Sequence, residues 1–196
     1  TSDKQLDLKE RFVNQYRQPD MANNLPELDE DLQHKTIGEG ALLKDLCPTI
    51  YKVIHSIVGS DDEEFEYFIN WLAFIVKHRD KTLTAYILHG TQGTGKGIFF
   101  SDIMTPILGE EYCSQKKVKD LDDLSNNWVE NKLFVMLDEF NIQQARNAGR
   151  TEDILKNLIT EKRSSMRAMR ADQRDIRSYT NFFLASNSDE AMHIPE

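Results

Sequence analysis

Three short runs of consecutive apolar residues punctuate the chain beyond its first third: "YIL" within "TAYILHG" (84–90), "LFVML" within "NKLFVMLDEF" (131–140) and "FFLA" within "NFFLASN" (181–187). They are apolar at successive rather than alternate positions, are too short for helices, and run into Gly, Asp or Asn. That combination predicts strands buried on both faces. Elsewhere the apolar residues recur at helical spacing. "LLKDLCPTIYKVIHSIV" (42–58) reads as two helices, the second opened by Pro48, because proline fits the first turn of a helix and not its interior. "DDEEFEYFINWLAFIVKH" (61–78) has acids in its first turn and Lys77 and His78 in its last, an order that complements the helix dipole. Further helices are predicted from about Lys96 to Leu108 and over "TEDILKNLITEK", with Thr151 as N-cap.

Strands alternating with helices over 81–196 imply an α/β core with a parallel sheet, preceded by a small helical domain at 41–80. Residues 1–40 are acid-rich and irregular, with "DKQLDLKERFVNQY" expected as a short amphipathic helix. Trp71, Phe74 and Trp128 are expected in the core. The 196 residues suffice for one good core. A net charge of −9 argues against a protein that coats nucleic acid over its whole surface, yet leaves room for a local basic strip. Cys47 and Cys113 match no metal or redox spacing and fit reduced thiols of a cytoplasmic protein, and the five histidines show no ligand spacing either. The longest apolar run, "WLAFIV", is too short to cross a bilayer, and no signal peptide is evident, so no membrane partner is expected. A start at Thr1 and a stop at "HIPE" are what a fragment of a larger protein, truncated at its C-terminus, would show.

The chemistry begins where the first predicted strand ends. Gly90–Thr91–Gln92–Gly93–Thr94–Gly95–Lys96 satisfies the glycine-lysine phosphate-loop pattern, with Gly97 and Ile98 opening the helix behind it. Glycines let successive backbone N–H groups point inward, the helix N-terminus adds partial positive charge, and Lys96 adds a formal one. The alternative is a glycine-rich turn with a solvated lysine. The second predicted strand delivers Asp138 and Glu139 to its carboxyl end, which in a parallel sheet faces the same crevice as the loop. One of the pair can hold Mg²⁺ and the next can polarise an attacking water, unless the pair is merely a solvated acidic turn. The third strand ends in Asn187, an amide suited to orienting water beside a γ-phosphate.

In this order, phosphate loop, Asp-Glu strand and Asn-tipped strand, the chain resembles the superfamily 3 helicases of the AAA+ class. Within them it is most similar to the helicase part of phage and plasmid primase–helicase and primase–polymerase proteins, where "WLA", "GTGKG", "LDEF", "LITEKR" and "ASN…IP" recur in much this form. The resemblance covers about residues 65–196. It implies a P-loop AAA+ fold behind a helical collar, fusion to a primase or polymerase domain, and a replicative DNA helicase driven by ATP that works as a ring, usually a hexamer. It assigns Lys96 to phosphate binding, Asp138 to Mg²⁺, Glu139 to water activation and Asn187 to γ-phosphate sensing.

Gly97 departs from that pattern, since most phosphate loops place a Mg²⁺-ligating Ser or Thr after the lysine. No hydroxyl follows until Ser101. Mg²⁺ keeps several waters readily, so a water can stand in; otherwise the site binds nucleotide and turns it over poorly. The resemblance also implies an arginine from a neighbouring subunit, usually after the Asn-tipped strand. "SDEAMHIPE" contains none, which leads us to expect slow hydrolysis and weak assembly from these residues alone, with Arg146 and Arg150 as substitutes to test.

Between the second and third motifs, residues 162–177 hold Lys162, Arg163, Arg167, Arg170, Arg174 and Arg177 against Asp172 and Asp175. That is a net +4 inside a chain of −9, so the remaining residues carry −13. "SSMRAM" and "DIRSYT" can pair as a hairpin around "RADQ". The resemblance implies that a hairpin in this interval grips the backbone of single-stranded DNA, where Arg and Lys would neutralise phosphates without reading sequence; the alternatives are a solvated hairpin or one facing a neighbour's acidic surface. The motifs together with the resemblance imply an ATP-dependent DNA-translocating ring. The rival is a nucleotide-gated DNA-binding or oligomerisation module with little turnover, and a small-molecule P-loop kinase lacks a recognisable lid.

Overall fold

The computed structural model describes residues 6–7, 12–13, 16–19, 23, 41–122, 127–166 and 174–187. Two short strands, β1 (Leu6–Asp7) and β2 (Phe12–Val13), pair antiparallel with Leu6 opposite Val13. They stand where an amphipathic helix was expected: over so few residues an apolar spacing serves a ladder as well as a helical turn. Helices α1 (Ala41–Leu46) and α2 (Pro48–Ile57) divide at Pro48, as its fixed backbone requires. Helix α3 (Asp62–His78) is capped by the Asp61 carboxylate, which accepts 2.9 Å bonds from the N–H groups of Glu63 and Glu64.

Strands β3 (Ala85–His89), β4 (Cys113–Lys116), β5 (Phe134–Leu137) and β8 (Asn181–Ser186) form one parallel sheet in the order β3-β8-β5-β4. The last of these four strands in chain order is therefore inserted between the first and the third. Every residue of β5 and β8 is buried, as the continuous apolar runs predict for strands covered on both faces. Phe134, Met136, Phe183 and Ala185 face one layer, made by α2, α3 and the helix α4 (Lys96–Leu108), where Phe68, Trp71, Ile75 and Phe99 fill the interface. Val135, Leu137, Phe182 and Leu184 face the other, against Leu155 and Leu158 of α5 (Ala148–Thr160). Phe99 links the helical layer to the sheet, 5.3 Å from Phe68 and 5.1 Å from Phe183 between centroids. The helices of 41–78 thus share one core with the sheet.

Helix α4 spans the predicted 96–108 in three pieces: Lys96–Ile98, a π-helical stretch Phe99–Met104, and Thr105–Leu108. Thr105 N–H donates to the Phe100 carbonyl, one residue further back than in an α-helix. Pro106, with no N–H to offer, follows the widened turn. Two expectations need correction. The cap of α5 is Asn147, whose side chain accepts from Arg150 N–H at 3.1 Å; Thr151 lies inside the first turn, fully buried, donating its hydroxyl to the Asn147 carbonyl. Phe74 is 41% exposed, on the side of α3 turned away from the sheet. The basic segment does form a hairpin, β6 (Arg163–Met166) against β7 (Arg174–Arg177), with Arg163 opposite Arg177. Arg167 and Arg170 lie outside the described residues, as does His193. Among the described residues no helix is long and apolar enough to cross a membrane.

Candidate functional site

The carboxyl edge of the sheet gathers the predicted motifs. β3 leads into the phosphate loop, whose Gly90 N–H donates to the Ser186 carbonyl at 3.1 Å, tying the loop to the end of β8. Asp138 and Glu139 follow β5, secured by Asp138 N–H on the Lys116 carbonyl (2.8 Å) and Phe140 N–H on the Ala185 carbonyl (2.7 Å). Asn187 follows β8. Gln92 to Ile98, Asp138, Glu139 and Asn187 line one cleft of about 270 Å³.

Inside the loop, Gly93 (φ +86°) and Gly95 (φ +97°) occupy the left-handed region that side chains disfavour. A Cβ on Gly95 would also meet Val53 and Ile57 of α2 at 3.7 Å, so the loop rests on the helical layer. Lys96, 8% exposed, folds back over it: its ammonium donates to the carbonyls of Gly90 (2.8 Å) and Thr91 (3.1 Å) and to the Thr94 hydroxyl (3.2 Å). Burial pushes this ammonium below the ordinary lysine value, with Asp138 partly offsetting the shift. Gly97 differs from its neighbours, because a Cβ there would meet nothing within 4 Å. Packing does not demand glycine at 97. The Ser101 hydroxyl donates to Asp102 at 2.6 Å and stands outside the cleft lining.

The acidic pair is held by β4, a strand the apolar pattern does not reveal. Asp138 accepts from the Gln115 amide at 2.9 Å with one oxygen and from Glu139 N–H at 2.9 Å with the other. Glu139, itself in a left-handed conformation (φ +50°), pairs with Lys117 at 2.5 Å. The Lys117 hydrogen bond and charge hold the Glu139 carboxyl below its usual value. Gln115 and Lys117 were not foreseen, since nothing in "CSQKKVKD" marks a partner for an acidic pair two dozen residues on.

The residue types lining this edge fit a nucleotide with Mg²⁺: a glycine-rich loop and an ammonium suited to phosphate, and two carboxylates suited to a hard cation. Among the described residues no group of three or more His, Cys, Asp or Glu forms a metal cluster of its own. The basic residues are elsewhere. Lys162 and Arg163 are exposed at the start of the hairpin, and Arg177 pairs with Asp80 at 3.5 Å, at the amino edge of the sheet; Arg174 opens β7, further along the hairpin. Arg146 and Arg150 are exposed on the approach to α5 and its first turn.

Residues 88–196, more than half of the chain, match the model of a family of unknown function, DUF5906. The chain belongs to that family. It is also 29% identical, over 145 residues, to the DNA primase-polymerase of Nitratiruptor phage NrS-1, a match that covers 74% of this chain and 20% of the phage protein. The apo structure of the NrS-1 C-terminal region superposes with a TM-score of 0.68 at 29% identity, over 75% of this chain and 35% of that one. An A-form apo structure of the same region gives 0.62 at 30% identity, over 72% and 33%. The resemblance to phage primase–polymerases thus holds, for a chain spanning about a fifth of its curated relative.

Proposed function

We propose that the chain is the nucleotide-driven, single-stranded-DNA-translocating part of a replicative primase–polymerase, built on a P-loop AAA+ core of the superfamily 3 helicase kind. The observation that carries this reading is the insertion of β8 between β3 and β5. Asn187 thereby shares one cleft with the phosphate loop and Asp138–Glu139, which supports the AAA+ reading. Relatedness to a DNA primase-polymerase supports a role in DNA replication.

In this reading Gly90–Ile98 cradle the phosphates of ATP and Lys96 exchanges its loop carbonyls for phosphate oxygens. Asp138, oriented by Gln115, holds Mg²⁺, which when bound screens phosphate charge. Glu139 polarises water once it leaves Lys117, and Asn187 senses the γ-phosphate. The hairpin takes the DNA backbone. Arg163 and Arg177 face one another across it, and like charges in register are unfavourable unless an anion lies between or beside them; Asp80 answers one of the two. Ring assembly, as a hexamer, belongs to the same proposal.

A second reading, a nucleotide-gated DNA-binding or oligomerisation module with little turnover, is favoured by Gly97 and by the Lys117–Glu139 pair, which leaves the base weak. Phosphate release with and without an oligo-dT strand separates them. The motor requires release that rises with DNA and collapses in Lys96→Ala. Equal rates in wild type and Lys96→Ala would remove the motor and leave the module.

A further inference from the structure

Lys81 lies in the loop between α3 and β3, is 5% exposed, and has no part in the cleft. Its ammonium donates to the carbonyls of Leu158 (2.6 Å) and Glu161 (2.7 Å) and to the Ser178 hydroxyl (3.3 Å). Leu158 is in the last turn of α5, where carbonyls lack partners within the helix and the dipole is negative. Glu161 and Ser178 flank the hairpin on its entry and exit legs, which close on each other through Ser178 N–H and the Lys162 carbonyl at 2.9 Å. One ammonium thus bonds the end of α5 and both legs of β6–β7.

The same loop holds the hairpin and the sheet at other points. Asp80 pairs with Arg177 at 3.5 Å, and its carbonyl accepts from the buried Asn181 amide at 3.1 Å. Asn181 in turn accepts from the N–H (2.8 Å) and hydroxyl (2.9 Å) of Thr82. Three residues after Thr82, β3 begins and runs directly to the phosphate loop.

We propose that Lys81 is a positioning residue that latches the basic hairpin onto the strand feeding the phosphate loop, fixing the direction in which the hairpin leaves the sheet. The functional consequence rests on reading that hairpin as a DNA grip. Lys81 touches no polyanion itself, so its loss should loosen the grip without removing a phosphate contact.

Two readouts separate latch from grip. Trypsin cleavage after Lys162, Arg163, Arg174 and Arg177, followed by mass spectrometry, reports on the hairpin with no DNA present. In Lys81→Met these sites should be cut about tenfold faster than in wild type, the scale of one lost charge-assisted bond, while Lys52 in α2, away from the latch, accelerates less. Oligo-dT affinity should fall severalfold with an unchanged salt slope, whereas Arg163→Ala should lower the slope by about 0.7. If Lys81→Met does not fold, Ser178→Ala removes a single acceptor and should accelerate the same cuts by a smaller factor. Unchanged hairpin cleavage in both variants overturns the latch, whatever DNA does. Faster cleavage in a protein that binds no oligo-dT upholds the latch and overturns the grip.

Discussion

Two buried lysines mark the two edges of the sheet, and they are held in opposite ways. Lys96, at the carboxyl edge, takes all its acceptors from within six residues of its own loop. Lys81, at the amino edge, takes them from 77 to 97 residues away. The five residues of β3 separate the two edges by about 16 Å at ~3.3 Å per residue. Burial lowers the proton affinity of both lysines, Lys81 to about 8. A lysine bonded only to its own loop can be released without disturbing the fold. A lysine joining three distant segments cannot. Local bonding marks the edge meant to exchange partners, and long-range bonding marks the edge meant to keep them.

The sharpest break of this comparison is Lys96→Ala against Lys81→Met. Lys96→Ala and Asp138→Ala should each cut ATP turnover by about 10² or more, the scale of removing one preorganised charge partner. Their melting temperatures should stay near wild type. Lys81→Met should lower stability by about 2 kcal/mol through the orphaned Leu158 and Glu161 carbonyls, read from urea unfolding. Reversed outcomes would show that the loop, not the latch, carries the fold.

Titration gives the next test. The folded Lys81 value of about 8 lies below the ordinary 10.5, so between these pH values Lys81 holds more protons in the unfolded chain and its own contribution to stability rises with pH. The neutral amine keeps two N–H donors, enough for both carbonyls. The rise should vanish in Lys81→Met. Cys113 and Tyr86, whose pKa values burial raises, pull the other way in both proteins, so the quantity to follow is the stability of wild type minus that of Lys81→Met. A difference that falls over the window would show that the ammonium is held more strongly than its burial implies. At the other edge, Lys117→Met should return Glu139 toward the usual carboxylate value, moving the acid limb of the turnover profile to higher pH.

Most of the carboxyl edge was legible in the chain, because doubly buried parallel strands read as continuous apolar runs and the chemistry sits at their ends. β4 was not legible: "CSQK" at the sheet margin has no apolar run, and Gln115 and Lys117 acquire their partners only through its pairing with β5. Asn147 and Thr151 both suit a cap, and which one serves depends on Thr151 turning inward to the core. The amino edge was the least legible. "RDKTLT" is a polar loop to any local pattern, and Asp80, Lys81 and Thr82 find their partners 77 to 101 residues away.

The smallest expected effect is at Gly97, and it tests whether the carboxyl edge tolerates additions that the amino edge does not. A Cβ at 97 enters open space, and no positive φ strains it. Glycine in a helix costs about 1 kcal/mol relative to alanine and serine about half of that, so Gly97→Ser should stabilise the fold by roughly 0.5 kcal/mol. The new hydroxyl would stand where phosphate loops usually present a Mg²⁺ ligand, so turnover should persist at lower Mg²⁺ than in wild type, or stay unchanged if water already fills that role. A melting curve and a Mg²⁺ titration of phosphate release measure both. Loss of turnover in a well-folded Gly97→Ser would mean that the phosphates pass closer to residue 97 than its open surroundings suggest, and that glycine is there to let them.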